Sequence, residues 1–189
     1  FIDIAYQGLG KGLEADAYGL RTMASALPEL IIASSCSKNF GLYRERTGSI
    51  SFISGSSHQA EIVLSQAKAV ARQMYSMPPA HGALLVAMIL DNETLRIQWQ
   101  NELEQVRCRI ISMRSVLVDR IKNNSAGINF DHIERQSGMF SFLGISADQL
   151  ERLRKDYGIY IVSSTRINLA GINSNNINYL AESIKSVLS

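Results

Sequence analysis

The sequence predicts an α/β fold: a mostly parallel sheet with covering helices, then one long helix and a small α+β domain. Three observations predict it. Strand-like and helix-like runs alternate over residues 1–92, the mark of an α/β domain with a largely parallel sheet. Apolar residues then recur every three or four positions over 94–122, which predicts a single amphipathic helix. After the turn-rich break Asn123-Asn124-Ser125-Ala126-Gly127, short strands and helices alternate again to residue 189.

Each element has its own warrant. Residues 1–6 form an apolar first strand interrupted by Asp3, and a helix is expected over 16–26. The apolar run at 30–34 and the segment 48–53 supply two further strands. Helices are expected at 59–74 and 80–90, with Pro78-Pro79 breaking the chain just before the second. On the long helix Leu95, Trp99, Leu103, Val106, Ile110, Met113, Leu117 and Ile121 form the apolar stripe, and Trp99 reads as core rather than as a cofactor stack. Its charged remainder, Glu102, Glu104, Arg107, Arg109 and Arg114, is expected to face water. Strands at 138–143, 159–163 and 166–169 and helices at 147–157 and 176–188 complete the reading. The expected division is 1–92 as part of a large domain, 93–124 as a connecting helix and 125–189 as a small domain.

Composition narrows the function classes. The 189 residues are 46% hydrophobic and 19% charged with a formal net charge of +2, so no polyanion-binding signature is present and neither nucleic acid nor a membrane is an expected partner. No apolar stretch approaches the roughly 18 residues that a membrane helix needs. Two cysteines, Cys36 and Cys108, show neither metal spacing nor a disulfide framework. That pattern fits a reducing cytoplasm, where the sequons at Asn92 and Asn123 carry no meaning. No metal site is expected.

The most informative feature is Lys38, in the run Ser34-Ser35-Cys36-Ser37-Lys38-Asn39-Phe40-Gly41. A lysine straight after an apolar strand is out of place unless its amine is used. Arg46 lies eight residues on, ready for an anion. An amine nucleophile beside an anion clamp suits a carbonyl cofactor carrying a phosphate, which is pyridoxal phosphate, held as a Schiff base. Two other readings compete on this window. Ser35-x-x-Lys38 also fits the serine acyl enzymes, but their Ser-Asp-Asn and Lys-Thr-Gly partners are absent from the sequence. The other reading is a plain surface lysine.

Asp3 adds a second piece. A carboxylate inside an apolar strand is costly unless paired, and a pyridinium N–H would pair it while keeping the ring an electron sink. Tyr6, three residues on, is placed to give its hydroxyl to the ring oxygen. The competing reading is an Asp that caps a turn at a strand end.

Five blocks then resemble the aspartate/aromatic amino-acid aminotransferases of class I. They are Asp3-x-x-Tyr6-Gln7-Gly8, Ser35-x-Ser37-Lys38-Asn39-Phe40-Gly41-Leu42-Tyr43-x-Glu45-Arg46, Tyr75-Ser76-x-Pro78-Pro79-Ala80-His81-Gly82, Gly138-Met139-Phe140-Ser141-Phe142 and Arg166-Ile167-Asn168-x-Ala170-Gly171. Order and spacing fit from end to end. The resemblance implies the C-terminal part of a fold-type I pyridoxal-phosphate transferase. It also implies transamination of aspartate and/or aromatic amino acids with 2-oxoglutarate in a homodimer.

By resemblance, Lys38 is the Schiff-base lysine and the proton carrier, Asp3 pairs with the pyridine nitrogen, and Tyr6 with the ring oxygen. Ser35 and Arg46 hold the phosphate, Arg166 clamps the substrate α-carboxylate, and Phe140 lines the pocket beside it. Arg72 takes the place of the arginine that reaches into the partner's site to read a distal acid. Cys36, Thr47 and Met77 depart from the usual pattern, and Met77 leaves the donor open between aspartate and aromatic residues. His81 reads as a packing or dimer-contact residue, and His58 and His132 as surface residues without partners. Phe1 opens inside a strand without an initiator Met, so the sequence reads as the C-terminal half of a longer polypeptide. Two alternatives stay open: another reaction on the same scaffold, or an inactive truncated or cofactor-binding fragment.

Overall fold

The computed structural model describes residues 1–189, which divide into two compact units, Phe1–Glu104 and Gln105–Ser189. The first unit is built on a three-stranded sheet in the order β1 (Ile2–Ile4), β2 (Leu30–Ser35), β3 (Gly48–Ile53). The connections decide the strand directions. Between β1 and β2 the chain crosses over through helices α1 (Leu13–Asp16) and α2 (Tyr18–Ala26), so β1 runs parallel to β2. Between β2 and β3 only the loop 36–47 intervenes, and the pair is antiparallel, with Ser35 opposite Gly48 and Leu30 opposite Ile53. The mostly parallel sheet expected from sequence is here one parallel and one antiparallel pairing.

The helix expected at 16–26 is α2, over 18–26, and a short helix α1 that was not expected precedes it and ends at Asp16. Asp16 explains the break, because its carboxylate accepts from the amides of Gly8, Gly10 and Lys11 and so ties the chain before α1 to its end. Helices α3 (Ser57–Tyr75) and α4 (His81–Asp91) follow β3, the first capped by the Ser56 hydroxyl, which accepts from Gln59 N–H. Leu9, Leu30, Ile32 and Leu103 are the buried apolar residues nearest the sheet. β1 is an edge strand, and Asp3 on it is exposed rather than buried as expected.

Helix α5 (Glu93–Ile121) carries the boundary between the units. In the second unit its residues Ile110, Leu117 and Ile121 are buried, together with Phe130, Ile133, Leu143, Leu153, Leu169 and Ile184. Arg114 is a correction to the solvated face: it is 2% exposed. It stands four residues after Ile110 and three before Leu117, squarely on the buried stripe, where Met113 was expected. Leu95 and Val106, expected in that stripe, are instead exposed.

The rest of this unit is α6 (Asp131–Arg135), β4 (Phe140–Phe142), α7 (Ala147–Tyr157), β5 (Arg166–Asn168) and α8 (Ile177–Leu188), with β4 and β5 antiparallel. Helix α7 begins with a capping box between Ser146 and Gln149 and ends on Gly158 at φ 62°, a left-handed position that favours glycine. Helix α6 was not foreseen. The segment 159–163, expected as a strand, has no ladder partner, because the sheet holds only β4 and β5. The strand expected at 166–169 stops at Asn168, whose side-chain oxygen accepts from Ala170 N–H and starts a 3-10 turn, Leu169–Gly171. No helix is long and apolar enough to cross a membrane, and no group of His, Cys, Asp or Glu is placed to hold a metal ion.

Candidate active site

In the first unit, the parallel pairing puts Asp3 opposite Ala33 and Ile4 opposite Ser34, so β1 and β2 end at the same edge of the sheet. Open α/β sheets present ligands at this carboxyl edge. Tyr6 lies two residues beyond β1 and Lys38 three beyond β2. The structure brings them together: the Lys38 ammonium is 4.8 Å from the centre of the Tyr6 ring. Such a contact is worth about 0.5–1 kcal/mol at exposed sites. It sets the half-buried amine at the mouth of the sheet rather than out in solvent.

The turn before Lys38 is held by serines. Ser35 Oγ accepts from Ser37 N–H at 3.1 Å and donates to Ser37 Oγ at 3.0 Å, and Ser37 is buried. Cys36 N–H donates to Thr47 O at 3.0 Å and closes the loop 36–47 at its base. Burial pushes the Cys36 thiol above its ordinary range, which keeps it an inert neighbour of the amine.

The far limb of the same loop carries Arg46, at φ 52° and exposed, with its guanidinium donating to Tyr43 O at 2.9 Å. Two residues on, Gly48 pairs with Ser35. A Cβ there would lie 2.4 Å from the Ser34 carbonyl oxygen, so only glycine allows β3 to approach this closely. The hairpin thereby returns Arg46 towards the strand end that holds Ser35.

Trp99, expected as core on the helix stripe, also supports the loop of Lys38. The Trp99 indole N–H donates to Asn39 O at 2.7 Å, and its ring stacks on Phe40 with centroids 4.4 Å apart and 9° between planes. The two residues after Lys38 are therefore fastened to α5 by a hydrogen bond and a ring stack, together worth about 1–3 kcal/mol. Spacing alone identifies Trp99 as inward-facing but not the loop that it meets. Beside Lys38, the Asn39 side-chain oxygen is buried without a hydrogen-bond partner.

In the second unit, Arg166 opens β5 opposite Phe142, and Phe140 faces Asn168 two positions along. The Arg166 guanidinium lies 4.6 Å over the Phe140 ring, a diagonal cross-strand contact. The residue before it, Thr165, is buried at φ 61°, a conformation that β-branched residues rarely adopt. Its carbonyl accepts from Leu143 N–H and its hydroxyl from Gly144 N–H, which hold it there. Phe140, Tyr160, Val162, Arg166, Asn168 and Tyr179 line a cavity of about 500 Å³.

The remaining expected residues are less organised. Arg72 is exposed in the last turn of α3, and His81 is exposed at the start of α4. His58 is exposed as expected, but His132 is not without a partner: its Nε2 lies 2.7 Å from Phe142 O. A carbonyl can only accept, so that nitrogen carries the proton.

Comparison with known proteins bears on the chain as a whole. Residues 1–184 match the family described as aminotransferase class I and II. The chain is 47% identical over 186 residues to the aspartate aminotransferase of Haemophilus influenzae, covering 98% of this chain and 47% of that protein. It is 44% identical over 186 residues to the aromatic-amino-acid aminotransferase of Pseudomonas aeruginosa, covering 98% of this chain and 47% of that protein.

Among solved structures, it superposes on the aromatic-amino-acid aminotransferase of Burkholderia pseudomallei, covalently bound to pyridoxal phosphate. The TM-score is 0.95 at 45% identity, covering 99% of this chain and 47% of that one. A mitochondrial aspartate aminotransferase of Trypanosoma brucei gives 0.94 at 38% identity, covering 98% of this chain and 50% of that one. The chain spans about half the length of the curated relatives that it matches. With the fold of the type I pyridoxal-phosphate enzymes and these motifs in order, it belongs to the class I and II aminotransferases.

Proposed function

We propose that the complete polypeptide carrying this chain is a pyridoxal-phosphate-dependent aminotransferase for aspartate and/or aromatic amino acids, with 2-oxoglutarate as acceptor. The observation that carries this is the Lys38 amine set beside Tyr6 at the carboxyl ends of two parallel strands. The donor set fits the cofactor. An amine suits its aldehyde, and serine hydroxyls and a guanidinium at one strand end suit its phosphate. The orphaned Asn39 oxygen marks a neighbourhood whose polar groups are not all satisfied within the chain.

When bound, the pyridoxal ring supplies an electron sink for the substrate's Cα. Lys38 would hold the cofactor's aldehyde through its amine, and that amine, freed when the substrate's own amine takes its place on the aldehyde carbon, would take the proton from Cα and later return one. Asp3 would keep the pyridine nitrogen protonated, Tyr6 would give its hydroxyl to the ring oxygen, and Ser35 and Arg46 would hold the phosphate. Arg166 receives the substrate α-carboxylate in a forked pair, with its guanidinium plane supported by Phe140. On this reading residues 1–92 belong to the large domain, 93–124 connect, and 125–189 form the small domain.

Borohydride trapping of the complete polypeptide with pyridoxal phosphate, followed by peptide mapping, tests the proposal. The expected adduct is on Lys38, and prior addition of aspartate should release the cofactor from that link. Label scattered over surface lysines would overturn it.

The reading also assigns a homodimer in which Arg72 serves the partner's site and reads a distal carboxylate. Arg72→Leu is expected to lower kcat/KM about 100-fold for aspartate and less than about threefold for phenylalanine, since only the dicarboxylate loses an ion pair. Equal losses on both donors would refute the assignment.

A further inference from the structure

Arg114 is a buried cation whose partners are all carbonyl oxygens. Its guanidinium donates to Ile133 O at 2.7 Å, Gly138 O at 2.8 Å and Phe140 O at 2.6 Å, and its Nε is buried without a partner. No carboxylate offsets the charge, and burial pulls its pKa below the ordinary arginine value. Burying an unpaired cation is costly, so the contacts it makes must matter to the fold around them.

Those contacts have a common location. Successive carbonyls of a strand point to opposite sides. Met139 O points to β5, where it accepts from Leu169 N–H at 2.7 Å. Gly138 O and Phe140 O therefore point away from β5, along the open edge of a two-stranded sheet, and Arg114 takes both. Phe142 O, next on that edge, is taken by His132 Nε2. An edge of unpaired carbonyls is ordinarily closed by another strand or by water. Here two side chains close it: one guanidinium nitrogen, Nη2, takes Gly138 O and Phe140 O across the turn where Gly138 sits at φ 84°, while Nη1 ties the same group to Ile133 O.

The strand so fixed is the one whose Phe140 ring lies under the Arg166 guanidinium. We propose that Arg114 is a positioning residue for the substrate-carboxylate clamp. By holding the carbonyls of Gly138 and Phe140 it sets the Phe140 ring, and through it the plane of Arg166. The proposal rests on Arg166 as the α-carboxylate site. Lysine at 114 keeps the charge, but its single nitrogen cannot reach both Ile133 O, taken by Nη1, and the two strand carbonyls taken by Nη2. The expected signature is a loss in substrate affinity rather than in turnover.

The test is steady-state kinetics of the complete, cofactor-loaded enzyme, with Arg114→Lys and Arg166→Lys made in parallel. Arg114→Lys is expected to raise KM about tenfold for aspartate and phenylalanine alike, because both carry the α-carboxylate. Its kcat per loaded site should stay within about threefold. The apparent Kd for succinate, an unreactive dicarboxylate, should rise by a similar factor. A purely structural role would reduce the yield of loaded enzyme and leave KM and that Kd unchanged, which would overturn the proposal.

If Arg166→Lys raises KM and Arg114→Lys does not, the positioning role fails while the clamp stands. If neither does, the clamp assignment fails and the proposal with it. His132→Leu, which takes the donor away from Phe142 O and leaves Arg114 in place, gives a second variant should Arg114→Lys fold poorly. A rise in KM of about threefold with kcat intact supports the edge as the device, and an unchanged KM counts against it.

Discussion

Lys38→Ala is expected to lower kcat for transamination by at least about 10⁴-fold in the complete enzyme, since one side chain supplies both the covalent link and the proton carrier. The loss should fall on turnover more than on cofactor retention. Asp3, Tyr6, Ser35 and Arg46 remain in place, and the turn that presents Lys38 is held without its amine, by Ser35, Ser37 and Trp99. Equilibrium dialysis with pyridoxal phosphate should thus find partial binding where a rate assay finds almost none. Turnover within tenfold of the parent would end the assignment of Lys38.

Arg166→Leu is the second large effect. A guanidinium pairs a carboxylate through two parallel N–H donors, and leucine leaves that carboxylate with none. Loss of one partner of a desolvated charge pair costs roughly 3 kcal/mol or more, so kcat/KM should fall at least about 100-fold. The loss should be equal for aspartate and phenylalanine, in contrast to the selective loss expected at Arg72. Stability should barely change, because Arg166 is exposed and its contact in the chain is with the Phe140 face. A donor-dependent loss measured across the two substrates would mean that Arg166 reads the side chain instead.

Local pattern made the strand-turn-strand around Lys38 legible, because an apolar run, small residues and a second strand follow one another without ambiguity. The strand 48–53 and the helix 147–157 were legible to the residue, and in the structure the helix is bounded by the Ser146–Gln149 cap and Gly158. Non-local partners escaped. Asp3 looked buried because its neighbours are apolar, but on β1 of this chain it is exposed. Segment 159–163 has strand-forming residues and no strand to pair with. Arg114 was assigned to water on its charge, although its i+4 and i−3 spacing to Ile110 and Leu117 placed it on the buried stripe. The carbonyls it serves lie nineteen or more residues away, which no local pattern encodes.

Trp99 is the only tryptophan in this chain, and it is stacked and hydrogen-bonded to the two residues after Lys38. The chain thus carries its single indole at the one loop where its chemistry is proposed. Its emission reports the order of that loop without contribution from other indoles of the chain. A shift to longer wavelength signals that the stack on Phe40 has opened to water. Quenching on addition of a conjugated ligand whose absorption overlaps the indole emission signals occupancy beside Lys38, so loop disorder and ligand binding separate in one spectrum.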